Sequence, residues 1–308
     1  MAPALRAAVV GAGAIGARLD TAWTKAPLTH AGGYRAAGFS LVALVDVEDG
    51  VNALAARWQC RAYSDFDQMM RTEAPEVLSL SVPTHVRAGL LRRALNYSPS
   101  AVVAEKPLAA SASEAEEIVT AYSRARVPLV VNYTRRFVPA WQRERGKSAM
   151  SATIRYAKGI RHNGTHAIDL CRMLFGECRA AKPLTKKCDH WEHDATVSAF
   201  LQFDGCPEVF LQGLDERSFT LFEVDIIGPD FRLIVDRDGQ RLRRYELKEG
   251  VGIPPGKRLI ETGEDETGAQ EAMLNLMRNV GEVVAGGAPL CSGEDALAAQ
   301  RIAELLAA

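Results

Sequence analysis

Four groups of residues in this 308-residue chain have types and spacings that could do chemistry. Gly11-Ala12-Gly13-Ala14-Ile15-Gly16 spells GxGxxG directly after an apolar run and at the mouth of a helical pattern. In that setting one glycine makes a tight turn, one lets backbone approach a pyrophosphate and one allows close packing of helix on strand, while the helix N-terminus attracts the anion. The plain alternative is a glycine turn. Asp46 closes the next apolar run, where a carboxylate accepts hydrogen bonds from ribose hydroxyls and repels a 2′-phosphate, favouring NAD over NADP. It lies thirty residues past Gly16, against the usual ~20, and Pro27–Gly38 reads as a loop insertion that accounts for the excess. His30 in that loop is expected to stabilise it, and Asp46 could also be a turn residue. Lys106 follows a later apolar run, where ligands bind in an open α/β sheet and a cation can stabilise a developing alkoxide or polarise a carbonyl; a salt-bridged surface lysine is the alternative. His166 and Asp169 are three apart in a helical pattern and so share a face. A histidine can take a hydroxyl proton as hydride leaves, and Asp169 could simply orient it.

The elements that must position these residues alternate over the first 131 positions. Strand-like runs at Arg6–Val10, Leu41–Asp46, Val77–Val82, Ala101–Ala104 and Pro128–Val131 are continuously apolar, as parallel strands buried on both faces are. Helical patterns lie between them at Ala14–Lys25, Val51–Trp58, His85–Leu95 and Glu114–Arg124, the last opened by the capping-box spelling Ser111-x-x-Glu114. The expectation is a doubly wound Rossmann domain over 1–131. After Asn132 the rhythm changes to one helical segment, Thr165–Phe175 closed by Gly176, and then to strand-like runs at Thr196–Phe203, Glu208–Leu214, Phe219–Ile227, Phe231–Val235 and Arg241–Leu247. Asp204-Gly205 and Asp238-Gly239 supply turns. These predict an α/β domain with a large, mostly antiparallel open sheet over 132–308. Gly250–Gly256 reads as a surface loop. Two closing helices, Gln270–Val284 and Asp295–Leu306 with Ser292 as N-cap, could pack back on the first domain.

Composition narrows the class. With 47% hydrophobic and 24% charged residues, and no apolar run near the ~18 residues of a membrane span, the chain reads as a globular enzyme or binding protein. Its six scattered cysteines form no CxxC pair, which excludes a zinc ribbon or redox dithiol. Met1–Arg6 lacks the basic start and separate apolar core of a signal peptide, so the expected location is cytoplasmic. The formal net charge of −1 conceals a segment, Asn132–Lys187, with thirteen basic and three acidic residues. That block suits either an anionic partner or a solvated face. Nucleic acid is not expected, because no recognition module is visible.

At the end of the fourth strand stands Glu105-Lys106-Pro107-Leu108. Together with the opening GxGxxG, Ser81-Val82-Pro83-Thr84-His85, Asn132-Tyr133-Thr134-Arg135-Arg136-Phe137, Gly164-Thr165-His166-Ala167-Ile168-Asp169 and the closing Gly286-Gly287-Ala288-Pro289-Leu290, it resembles the glucose–fructose oxidoreductase / inositol dehydrogenase (Gfo/Idh/MocA) family over nearly the whole chain. The resemblance implies NAD(P)-dependent chemistry on a sugar or cyclitol and a C-terminal sheet used for homodimers or homotetramers. It assigns Lys106 and His166 to catalysis with Asp169 beside them, and places Gly11, Gly13, Ala14, Ile15, Gly16, Asp46, Ser81, Pro83, His85, Glu105 and Lys106 at the cofactor. Many relatives carry an acidic residue four positions before the catalytic histidine, where this chain has His162. His162, Asn163, Thr165 and Arg136 then become the expected substrate contacts, with Arg161 and Lys158 favouring a phosphate, nucleotide or carboxylate on the sugar. His162, His166 and Asp169 also spell a possible metal cluster, but Gly164 is expected to break the helix between them, and no metal is expected. His190-Trp191-Glu192-His193 reads as a strand edge. Two other functions use the same parts: a redox-neutral lyase or glycosidase with tightly held NAD, and a non-catalytic nucleotide sensor.

Overall fold

A computed structural model describes residues 3–21, 23–215, 218–252 and 254–308. Met1 and Ala2, Ala22 in the expected helix Ala14–Lys25, and Ile253 in the expected loop Gly250–Gly256 lie outside them. The chain forms two compact units, the first running to Phe137 and taking in Gln270–Ala298, the second comprising Val138–Ala269 and Ala299–Ala308.

In the first unit the strands are β1 (Arg6–Val10), β2 (Ser40–Val45), β3 (Arg61–Tyr63), β4 (Val77–Leu80), β5 (Ala101–Ala104) and β6 (Leu129–Val131). They pair in parallel in the order β3-β2-β1-β4-β5-β6. Every residue of β4, β5 and β6 is buried, which is why these strands carry no polar alternation. Around them lie α1 (His30–Ala36), α2 (Val51–Trp58), α3 (Phe66–Glu73), α4 (Thr84–Ala94), α5 (Ala112–Ala125) and, from the end of the chain, α8 (Ala272–Val284) and the start of α9 (Gly293–Ala307). Ser111 caps α5, its hydroxyl accepting from Glu114 N at 3.2 Å. Ser292 and Asp295 cap α9 reciprocally, Asp295 N donating to Ser292 Oγ at 3.2 Å and Ser292 N to Asp295 Oδ2 at 3.0 Å.

The region after Gly16 differs from expectation. Among the described residues of the expected helix only Ala14–Arg18 coils, as a π-helical turn, and the segment expected to be loop holds α1. Thr29 caps that helix, accepting from Gly32 N at 3.0 Å. Gly32 and Gly33 weaken the helical signal in sequence, yet a Cβ on Gly33 would lie 2.9 Å from Met277 of α8, so the glycines permit close helix packing.

The second unit contains α6 (Pro139–Glu144), α7 (Thr165–Phe175) and eight strands: β7 (Ser151–Ala157), β8 (Cys178–Trp191), β9 (Asp194–Phe203), β10 (Cys206–Leu214), β11 (Phe222–Ile227), β12 (Phe231–Asp236), β13 (Arg241–Val251) and β14 (Gly256–Glu266). Their order is β14-β13-β12-β11-β7-β10-β9-β8, antiparallel except for β7 beside β10. Alternation sorts the faces: Ile154, Val224, Leu233 and Leu242 are buried on one, while the row Phe200, Phe210, Thr153, Asp225 and Ile234 runs across the other. Among the described residues no helix is long and apolar enough to cross a membrane.

Candidate active site

The nucleotide end is built by backbone. Gly11 sits at φ +88°, and a Cβ there would lie 2.5 Å from the Ser81 carbonyl oxygen after β4. A Cβ on Gly16 would lie 1.9 Å from the Gly11 carbonyl oxygen, whereas one on Gly13 would meet nothing within 4 Å. Two glycines therefore close the turn, and the third leaves an open side from which a pyrophosphate can approach main-chain N–H groups. Asp46, at the end of β2, accepts from Ala12 N at 2.7 Å through Oδ2 and from Glu48 N at 3.1 Å through Oδ1. A carboxylate has about four acceptor positions, so capacity remains for a ribose. Ala14, Ile15, Pro83 and His85 are exposed and Ser81 is half-buried. This set of residues fits a dinucleotide.

Lys106 follows β5, joined to Pro107 by a cis peptide bond, and is half-buried. Glu105 before it is held by two side chains: its Oε1 accepts from Asn132 Nδ2 at 2.7 Å and lies 2.9 Å from His30 Nε2. His30, wholly buried in α1, reaches Ser79 Oγ through Nδ1 at 2.9 Å, and Tyr34 OH lies 2.7 Å from the same hydroxyl. Burial raises the Glu105 pKa, but the His30 hydrogen bond and charge, the Asn132 bond and the Arg87 charge outweigh it and hold the carboxyl below its ordinary range. His30 thus belongs to a buried network beneath the Glu105-Lys106-Pro107 turn.

His166 lies in the second unit. Lys158 and Gly159 both adopt positive φ, +68° and +85°, and turn the chain out of β7. A π-helical turn, Gly159–Gly164, then runs directly into α7. Gly164 does not break the helix: it is helical, and a Cβ there would lie 2.5 Å from Ile160 Cδ1, so it serves close packing. All eleven residues of α7 are buried, His166 at 7% exposure and Asp169 at 1%. Asn163 Nδ2 donates to Ala157 O at 2.9 Å and the Thr165 hydroxyl donates to Arg161 O at 3.0 Å, so both are engaged in shaping the turn, while His162 and Arg161 are exposed. Among the described residues no three His, Cys, Asp or Glu side chains are gathered as metal ligands.

Arg136 departs from its expected place at the substrate. It is 3% exposed and donates to Leu290 O at 3.0 Å and Asp295 Oδ1 at 3.1 Å, tying the segment after β6 to the start of α9. Other members of the basic block are paired as well: Lys147 with Glu144, Arg155 with Glu223, Arg172 with Glu177 and Arg179 with Asp204. Pairing with acids, three of them close in sequence or in the adjoining strand, disperses what looked like a cationic patch.

Two residues carry roles that no motif announced. Asp194, 5% exposed at the start of β9, accepts from Arg161 N at 2.9 Å and His162 N at 2.8 Å, fixing the turn before α7. Burial raises its pKa against those bonds and the charges of Arg161 and His193. Its only sequence signal is an acid directly before an alternating run. Trp191, at the end of β8, is 37% exposed beside the rings of His162, His190 and His193, at 5.9, 4.5 and 5.9 Å; the expected strand edge is the tip of the β8–β9 hairpin. The second missed residue, Arg87 of α4, is 4% exposed and bonds to one main-chain oxygen in the Lys106 turn, that of Pro107, and to one in the loop after β4, that of Val82.

Residues 5–133 match the GFO_IDH_MocA model, described as an oxidoreductase family with an NAD-binding Rossmann fold. D-Apiose dehydrogenase of Paraburkholderia graminis is 25% identical over 297 residues, covering 84% of this chain and 78% of that protein. The structure is similar to UDP-N-acetylglucosamine 3-dehydrogenase from Acidithiobacillus ferrooxidans at TM-score 0.78 and 17% identity, covering 99% and 97% of the two chains. It is also similar to levoglucosan dehydrogenase in complex with NADH, at TM-score 0.80 and 16% identity over 99% and 96%. The NAD-binding Rossmann domain that carries the glycine turn and the Glu105-Lys106-Pro107 motif is thus the part of the chain that matches the Gfo/Idh/MocA oxidoreductase family.

Proposed function

We propose that the chain is an NAD-dependent dehydrogenase that transfers hydride between nicotinamide and a secondary hydroxyl or ketone of a sugar, sugar derivative or cyclitol. The observation that carries this reading is α7, a helix buried at every position that nonetheless holds His166 and Asp169 on one face. Burying ionisable groups costs stability unless they are paired or hydrogen-bonded, and groups kept in the interior despite that cost are functional-site candidates. Support also comes from the relatives, whose names specify dehydrogenation of apiose, levoglucosan and a nucleotide-linked N-acetylglucosamine.

In this reading His166 accepts the proton of the substrate hydroxyl, with Asp169 orienting the ring. Lys106 stabilises the negative charge on that oxygen as it becomes a carbonyl. The nicotinamide, when bound, supplies the hydride acceptor. Asp46 selects NAD through the ribose, and Gly13 leaves the main chain open to the diphosphate. His162 and Arg161 are exposed to contact further substrate hydroxyls or a charged substituent, a role Arg136 does not share. We read the second face of the large sheet, where the Phe200 and Phe210 rings lie 5.2 Å apart and Phe210 is 39% exposed, as the contact of a homodimer or homotetramer.

The test is nicotinamide absorbance with NAD and NADP in parallel over a panel of D-apiose, levoglucosan, UDP-N-acetylglucosamine, free sugars, uronic acids and inositols. Reduction of NAD by at least one member is expected, abolished in His166→Ala and Lys106→Ala while nucleotide binding persists. Undiminished turnover in both variants would refute the assignment. Product without net reduction of NAD indicates the redox-neutral chemistry, and nucleotide binding without any product indicates a sensor.

A further inference from the structure

Lys106 lies in a turn that is held from both sides. On the N-terminal side, Glu105 is fixed by Asn132 and His30. On the C-terminal side the holding group is Arg87, one turn into α4. One of its terminal nitrogens, Nη1, donates to the Pro107 carbonyl, and the other, Nη2, donates to the Val82 carbonyl at 2.6 Å. The guanidinium therefore bridges the two loops that follow β4 and β5, the neighbouring strands whose C-terminal ends frame a ligand crevice in a sheet of this kind.

The cost of this arrangement points to its use. Arg87 is 4% exposed and, among the described residues, forms no ion pair; its Nε atom has no hydrogen-bond partner. A buried cation that bonds only to carbonyls is an expensive way to close a loop, since an apolar residue of similar volume would often serve stability as well or better. Burial pushes the guanidinium down to about 10, with the negative charge of Glu105 acting in the opposite direction. What arginine alone supplies is a rigid, planar fork that sets two carbonyls at a fixed separation.

We propose that Arg87 is a positioning residue for the reaction: by fixing the carbonyl of Pro107 against that of Val82, it sets where the Lys106 ammonium stands. The proposal rests on the reading of Lys106 as the group that meets the substrate oxygen. A lysine whose flanking residues are fixed on both sides starts from a set Cα position, and displacement of such a group by about 1 Å costs on the order of 100-fold in rate.

The test uses the full chain loaded with NAD. Reductive methylation by formaldehyde and cyanoborohydride, read at each lysine by peptide mass spectrometry across pH, reports the environment of the Lys106 amine without requiring a substrate. Turnover is measured with whichever panel sugar is oxidised. In Arg87→Met, kcat is expected to fall by roughly 30- to 100-fold, with the KM for NAD within about twofold. The Lys106 methylation midpoint is expected to move by at least about half a pH unit while the other lysines keep theirs. Arg87→Lys, which retains charge and one donor direction, should fold where the methionine variant does not, recover part of kcat and shift Lys106 in the same sense by less. Unchanged kcat and an unchanged Lys106 profile in either folded variant would overturn the proposal, and where no panel sugar reacts the methylation profile alone decides it. Full turnover in Lys106→Ala would instead overturn the reading beneath it.

Discussion

The glycine turn of the first unit and helix α7 of the second do comparable work by opposite means. At the turn, function lies in what is missing: no Cβ fits at Gly11 or Gly16, and nothing occupies the space beside Gly13. Along α7, the proposed function lies in side chains set into a wholly buried helix, where a one-residue shift would exchange His166 for a neighbour facing elsewhere. Backbone-built sites are marked by the only residue that can make them. Side-chain-built sites use residues with many other employments, so their sequence signal is weaker and their sensitivity to substitution is greater.

The largest expected effect tests the α7 side of that contrast. His166→Ala should lower kcat by about 1,000-fold, within the range for loss of a general base, with NAD affinity unchanged by fluorescence titration; a tenfold or smaller loss would mean that side chains matter less there than the geometry indicates. On the other side, Gly13→Ala and Gly16→Ala separate two kinds of glycine. Gly16→Ala should lower the melting temperature sharply, because its Cβ overlaps the Gly11 carbonyl, whereas Gly13→Ala should melt like the parent yet bind NAD roughly 10- to 100-fold more weakly as the diphosphate is held off. Equal melting losses would erase the distinction. Between the two regions in size stands Asp194→Ala, which frees the main chain of Arg161 and His162 and should reduce kcat by about tenfold with little change in NAD binding. The smallest effect concerns Glu105. Its folded carboxyl titrates below the unfolded value of about 4.3, so its stabilising contribution is complete above that pH and is lost as pH falls through the lower folded value. The difference in melting temperature between the parent and Glu105→Gln should shrink on acidification below about 4; a difference that grew instead would reverse the sign of the network.

How much was legible in sequence follows the same division. β1, β5, α2 and α7 stand at their expected bounds, because buried parallel strands are unbroken apolar runs and these helices end on clear signals such as Gly176. The short edge strand β3 and helix α3 left no expectation, and β14, with one half-buried residue in every three or four and the rest exposed, is too polar to read as a strand until β13 pairs with it. Helix α1 was hidden by Gly32 and Gly33, whose presence weakens helices in general and is required here by Met277 and Asp20. Arg136 illustrates the reverse error. A pair of arginines beside a site motif reads as anion recognition, and only the location of Asp295, 159 positions along the chain, shows what one of them holds. Arg87 and Asp194 could not be found at all, since each acts on main-chain atoms whose positions exist only in the fold.

Asp46 bears on how this enzyme could change its cofactor. The usual route to accepting a 2′-phosphate is to remove the acid at the end of β2, but here the same carboxylate also receives the amide of Ala12, inside the glycine turn, and that of Glu48 beyond the strand. On the proposed reading of Asp46 as the ribose acceptor, selectivity and loop architecture are coupled through one side chain. A single exchange of Asp46 would unfasten the diphosphate loop along with the preference for NAD, so a lineage moving toward NADP would first need another acceptor for the Ala12 amide.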